Sequence, residues 1–135
     1  MNFTITSVVD KDIKDIWMAW SDAYHMEKWF FTSADWYCPK ASSDFQEGGE
    51  FAVLFAEKYG TNKFPFKGTY TKIIPHQFVE YFTEDGRQIS TYFIVEDDGV
   101  HITQEIEPEI SNPLEVQKDG WENILHNFKN YTEGL

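Results

Sequence analysis

The sequence predicts an α+β domain, and three observations carry that prediction. After Gly48 and Gly49 the chain breaks into extended runs joined by Asp-Gly turns. Ahead of them stand two short segments with apolar residues at helical spacing, and one long amphipathic segment closes the chain. Strand, two helices, antiparallel meander and long helix is an order that gathers helices on one face of an antiparallel sheet.

Phe3 and Ile5 alternate with Thr4 and Thr6, the period of a half-buried strand, so FTITSVV is the first strand. Asp10 stands where it can cap a helix whose Ile13, Ile16, Trp17 and Trp20 follow the i, i+3, i+4, i+7 rule. A second short helix around AYHMEKWFF presents Met26, Trp29 and Phe30 together, and Thr32 to Gly48 is irregular apart from a short strand near Trp36. In EFAVLFAEK, Phe51, Val53 and Phe55 share one face while Ala52, Leu54 and Ala56 share the other. FPFKGTYTKII places Phe66, Gly68 and Tyr70 on one side and stops at Pro75. QFVEYFT, RQISTYFIVE and VHITQEIE complete the meander, and the joints EDGR and DDG supply the positive φ of tight hairpins. Glu80 alternates with Phe78 and Phe82, so two parities are open. Either those three face inward, with burial raising the carboxyl pKa, or Val79 and Tyr81 do.

Asn112 or Ser111 can cap the last helix, with Pro113 at its first position and Glu115 in its first turn. Leu114, Gln117, Trp121, Ile124, Leu125, Phe128 and Tyr131 then share one broad face, with Asp119, Glu122, Asn123, His126 and Lys129 mostly opposite. Gly120 lies at the edge of that stripe. Within a helix it costs up to about 1 kcal/mol against alanine, which points to a close approach by a neighbour; the alternative is an Asp-Gly turn between two shorter helices.

The totals narrow the function. With 135 residues, 41% hydrophobic and 25% charged, and no repeat or linker, one globular unit is expected. The 18% aromatic content implies a wide, ring-rich interior, since each ring buries roughly 150–250 Å². A net charge of −12 argues against nucleic acid and anionic membrane surfaces. No run approaches the ~18–20 apolar residues of a membrane span, and the first residues lack the pattern of a signal peptide. A cytoplasmic location is therefore expected. Cys38 is alone, so neither an internal disulfide nor a multi-cysteine zinc site can form. His25, His76, His101 and His126 show no ligand spacing, and Ser42 and Ser43 sit in no nucleophile elbow. No metal, cofactor or catalytic residue is assigned. Gly48-Gly49 is not a phosphate loop, since no Lys-Ser/Thr follows; a bulge or sheet bend is the better reading.

Four stretches taken together, EKWFF, DWYCPKASSDFQEGGEF, GTYTKIIPHQFVEYF and GWENILHNFKNY, give the chain a further identity. In this order it resembles the domain family named after the activator of the ninety-kilodalton heat-shock protein's ATPase, within the START-like (polyketide cyclase and birch-pollen-allergen) superfamily. The resemblance implies a helix-grip fold over residues 1–135 as a single START-like domain. A curved antiparallel sheet would wrap a long C-terminal helix, with two short N-terminal helices closing one end and a hydrophobic cavity between helix and sheet. Trp29, Phe51, Tyr70, Trp121 and Leu125 match the family's cavity-side pattern, and Phe30 stands where a second tryptophan is usual. With Trp17, Trp36, Val53, Phe55, Phe82 and Phe128 added, these form the expected ligand-binding set. The family brings no universal catalytic residue, and the co-chaperones that gave it its name carry an additional N-terminal domain. The expected function is binding of a small hydrophobic molecule without catalysis. The alternatives are a protein-interaction module using the acidic surface, and a cyclase- or aromatase-like enzyme for which Glu80 is the group to inspect.

Overall fold

In the computed structural model, which describes residues 2–135, the alternation at the start of the chain becomes β1 (Phe3–Val9) with Phe3, Ile5 and Val9 buried. Helix α1 (Ile13–Ser21) follows, capped by Asp12 rather than Asp10: the Asp12 carboxylate accepts from Lys14 N at 2.8 Å. Asp22 caps the four-residue α2 (Ala23–Met26) in the same way. Asp10 instead lends its backbone N–H to Glu133 at the far end of the chain.

The strands are β2 (Trp36–Tyr37), β3 (Ala41–Ser43), β4 (Glu50–Glu57), β5 (Lys63–Ile74), β6 (Phe78–Thr83), β7 (Gln88–Glu96) and β8 (Gly99–Ile106). They form one curled antiparallel sheet in the order β1-β8-β7-β6-β5-β4-β2, with β3 also paired to β4. β3 was not expected, because three residues of ASS offer no periodicity. Gly48 and Gly49 lie in the turn between β3 and β4, where Gly48 N–H donates to Tyr70 O at 2.7 Å and so ties the turn to β5. The β5–β6 register slips between Tyr70 and Lys72, a bulge that bends the sheet.

On β6 the inward residues are Val79, Tyr81 and Thr83. Glu80 and Phe82 therefore face outward; Glu80 accepts from Thr71 Oγ1 at 2.8 Å and Gln88 Nε2 at 2.9 Å, and Phe82 is 36% exposed. On β5, Gly68 makes room for the Phe51 ring. A Cβ there would stand 2.5 Å from that ring and 2.9 Å from Phe82 O.

Helix α3 (Leu114–Glu133) lies across the inner face of the sheet, closest to β1. Its Trp121, Ile124, Leu125, Phe128 and Thr132 are buried. Phe128 packs edge-on against both Trp20 and Trp29, its centroid 4.9 Å from each, while those two indoles stack at 5.0 Å. This is the helix-grip fold. Two expectations about α3 change. Pro113 has extended ψ and occupies the cap itself, and neither Asn112 nor Ser111 supplies a capping bond. Leu114 is exposed rather than buried, because the first turns of α3 run past the packed part of the sheet.

Gly120 lies inside one continuous helix, which removes the Asp-Gly turn. A Cβ at this position would meet Thr32 at 3.6 Å, ordinary contact, so no close approach demands glycine. Gly120→Ala is expected to stabilise the fold by up to about 1 kcal/mol, and Gly68→Ala to destabilise it by about 1–3 kcal/mol, both read from urea midpoints.

Candidate functional site

The interior under the middle of α3 is full. What space is left there amounts to about 20 Å³, bounded by Trp29, Phe51, Tyr70, Tyr81, Gln104 and Trp121 among others. One water-sized group is the most it can hold. Gln104 Nε2 donates to Thr91 Oγ1 at 3.1 Å, while Gln104 Oε1 is buried with no partner. The Tyr70 hydroxyl pairs with Ser43 Oγ at 2.8 Å. Burial pushes its pKa up to about 12, with the Ser43 bond acting in the opposite sense. Burial also raises Tyr81, helped by Tyr70 nearby and opposed by the Arg87 guanidinium.

The usable hollow lies at one end of α3 instead. There the exposed first turns of the helix stand over the ends of β4 and β5, and a pocket of about 470 Å³ opens between them. Phe30, Phe55, Phe64, Phe66 and Trp121 wall it. Phe66 is central: its ring lies 5.7 Å from Trp121, 5.9 Å from Phe30 and 6.1 Å from Phe55. Phe30, Trp121 and Ile124 border both the pocket and the small inner void, so they are the partition between the two. A groove of about 630 Å³ along Ile74, Phe78, Tyr92 and Ile94 is larger. It is lined by neighbouring strands of the one sheet and the adjoining turn, whereas the aromatic pocket lies between helix and sheet.

Amide side chains on α3 hold both rims. Gln117 Oε1 accepts from Glu109 N at 2.8 Å, and its Nε2 donates to Glu109 O at 3.0 Å and Asn112 O at 2.8 Å. This fastens the connection from β8 to the helix. On the other rim, Asn123 Nδ2 donates to Thr32 O and Asn127 Nδ2 to Phe31 O, both at 2.9 Å. The β6–β7 hairpin contributes Arg87, whose side chain is 16% exposed. Its Nε donates to both Asp85 oxygens at 3.1 and 3.0 Å. The Thr83 hydroxyl, which also donates to Asp85, is the first cause holding that carboxyl below its usual pKa, with Arg87 adding to it.

Of the expected ligand-binding residues, Phe30, Phe55 and Trp121 line the pocket. Trp29, Phe51 and Tyr70 border the inner void with Phe30 and Trp121. Trp36 flanks the pocket from behind Phe64, 5.1 Å away. Val53, Leu125 and Phe128 are core packing. Trp17 lies elsewhere, against Phe45, His76 and Phe93. Phe82 lies on the outer face and is no part of the site. The sequence reading missed Phe64 and Phe66, although Phe66 was on the correct side of its strand. It also missed Arg87, which registered only as the end of a turn.

Cys38 is buried, and burial raises its thiol pKa, so it is not an activated nucleophile. Among the described residues no cluster of His, Cys, Asp or Glu is arranged to hold a metal, and no helix is long and apolar enough to cross a membrane.

Comparison with known proteins concerns the fold and the family. The AHSA1-like protein of Aeromonas hydrophila has a solution structure that superposes with a TM-score of 0.93 at 30% identity, covering 99% of this chain and 93% of that one. Chr148 of Cytophaga hutchinsonii is 35% identical, with a TM-score of 0.81 over 97% of this chain and 91% of its own. An Aha1 dimer from Colwellia psychrerythraea shares the fold at 15% identity, with a TM-score of 0.74 over 98% and 96% of the two chains. Among curated proteins none matches. Residues 10–133 match the family model described as activator of Hsp90 ATPase homolog 1-like protein, and the chain belongs to that family.

Proposed function

We propose that the protein binds a small, largely apolar molecule in the pocket between the first turns of α3 and the ends of β4 and β5. The observation that carries this reading is the hollow itself: about 470 Å³ walled by five aromatic rings on a helix, a sheet and the segment after α2. That volume falls within the ~300–1,000 Å³ of small-molecule sites, and aromatic walls with a few polar groups are their usual chemistry. Both rims are tied to α3 by side-chain amides, so little ordering remains to be done on binding.

Binding without catalysis is the form this takes. Glu80, the carboxylate that the sequence offered as an acid or base, is on the opposite face of the sheet, bonded to Thr71 and Gln88 and away from the pocket.

Two measurements test the reading. N-phenyl-1-naphthylamine, a neutral apolar dye, is expected to bind saturably at one site and to shift the Trp121 indole resonance. Val116, 62% exposed on the pocket rim, is a position where a bulky ring can be added without touching the core. Val116→Trp is expected to weaken the dye by about tenfold or more, since overlap with a few ligand atoms removes over 1.4 kcal/mol. Failure to saturate with folded protein, or shifts confined to the outer sheet face, excludes this pocket. The second measurement is tyrosine absorbance against pH. A raised pKa means that the hydroxyl favours the folded state while protonated. That contribution is intact below about pH 10 and is lost as pH rises through about 12 for Tyr70. Tyr70 and Tyr81, the two buried tyrosines, are expected to ionise last, in step with unfolding. Ionisation of both near pH 10 with the fold intact would contradict their burial.

A further inference from the structure

Arg87 is the single arginine of a chain that carries a net charge of −12, and it stands in the wall of an aromatic pocket. The polar groups around it are mostly engaged. Gln117 uses both ends of its amide on the backbone of Glu109 and Asn112, and Asn123 donates to Thr32 O. Arg87 differs. The hydrogen bonds of its side chain run through Nε to Asp85, and among the described residues no other carboxylate lies within 4.0 Å of it. Its terminal nitrogens are left with their donors, in a side chain that is only 16% exposed.

The hairpin holds that guanidinium in place. Thr83 N–H donates to Arg87 O at 2.8 Å, Arg87 N–H donates back to Thr83 Oγ1 at 2.9 Å, and the Thr83 hydroxyl donates to Asp85. Asp85 therefore holds the Nε edge while the edge formed by the two terminal nitrogens remains. Two parallel N–H donors in a fixed plane match the two oxygens of a carboxylate, and a partly desolvated site makes that pairing stronger than it is in water.

The geometry points to a monocarboxylate with an apolar tail as the ligand class: the carboxylate on the terminal nitrogens of Arg87 and the tail among Phe30, Phe55, Phe66 and Trp121. This rests on the pocket reading above and narrows it. Glu109 and Asp119 also border the pocket. They repel any anion and a dianion more strongly, so a single carboxylate suits the site better than a dianionic phosphate. Beyond about 8 Å their repulsion is screened at physiological salt, whereas a direct fork at Arg87 is not.

Octanoate and octanamide test the inference, because they share a shape and a tail and differ in charge. Titrations followed by the Trp121 indole resonance are expected to show octanoate binding roughly 10–100-fold tighter than octanamide. In Arg87→Gln that ratio is expected to fall towards one. Arg87→Lys, which keeps the charge and loses the fork, is expected to retain part of it. Equal affinities in the unaltered protein overturn the carboxylate assignment and leave the apolar pocket standing, and this comparison does not depend on either variant folding. No binding of either compound overturns both. A preference for octanoate that survives undiminished in folded Arg87→Gln removes Arg87 from the site.

Discussion

The fold depends on one packing arrangement, the edge-on contact of Phe128 with the stacked indoles of Trp20 and Trp29. Those three rings come from α1, the segment after α2, and α3. Trp29 is held by its own hydrogen bond, from Nε1 to Ala19 O at 3.0 Å, so a large ring is buried with its polar tip satisfied. With this contact made, α3 cannot roll on the sheet. Its Trp121 is then carried to the sheet's far end and its Tyr131 to His25, where the hydroxyl meets Nδ1 at 2.6 Å. The last turn is secured separately: Glu133 accepts from Asp10 N–H and from Lys129, each at 2.8 Å, and the Asp10 bond is the first cause holding Glu133 below its usual pKa.

Because the ring-filled centre leaves only about 20 Å³, the open space between helix and sheet lies where the packing ends. The hollow is a consequence of helix length. Twenty residues of helix extend about 30 Å, and the buried positions of α3 begin only at Trp121. The preceding turns are not packed on the sheet, so their inner side and the rings of β4 and β5 face each other across open space. Gln117, Asn123 and Asn127 keep that space from collapsing by spending their amides on the backbone of both rims.

Much of this was legible in the sequence because it rests on periodicity. The buried stripe from Trp121 to Phe128, the Phe51-Val53-Phe55 face and the two Asp-Gly joints each follow from local spacing, and the family resemblance supplied the sheet's curl. Where periodicity was ambiguous, the pairing partner decided. Alternation on β6 permits either parity, and pairing of Tyr81 with the buried Tyr70 and of Thr83 with Gly68 turns Tyr81 and Thr83 inward, which leaves Phe82, one of the expected ligand-binding residues, on the outer face. Caps were misjudged by a residue or two, since Asp10, Asp12, Ser111 and Asn112 are all chemically suitable and only the path of the chain selects among them. Leu114 shows the remaining limit. Helical spacing says which residues share a face but not how far the opposing sheet extends beneath it.

Separating the core from the pocket has a consequence for specificity. The rings that stabilise the fold, Trp20, Trp29, Phe51 and Phe128, do not border the pocket. The residues that would discriminate between ligands stand on a hairpin, on the connection before α3 and on the exposed start of that helix. Substitution there changes volume or charge at the rim, and the cost to stability is that of a surface change, usually within about 0.5 kcal/mol. Phe30, Trp121 and Ile124 are exceptions because they serve both compartments, and Phe55 is another because it is buried in the core as well as lining the pocket. A smaller side chain at any of the first three would join the pocket to the inner void and bring Gln104 and Tyr81 into reach of a ligand. The depth of the site is therefore governed by this partition, and its polarity by the hairpin that carries Arg87.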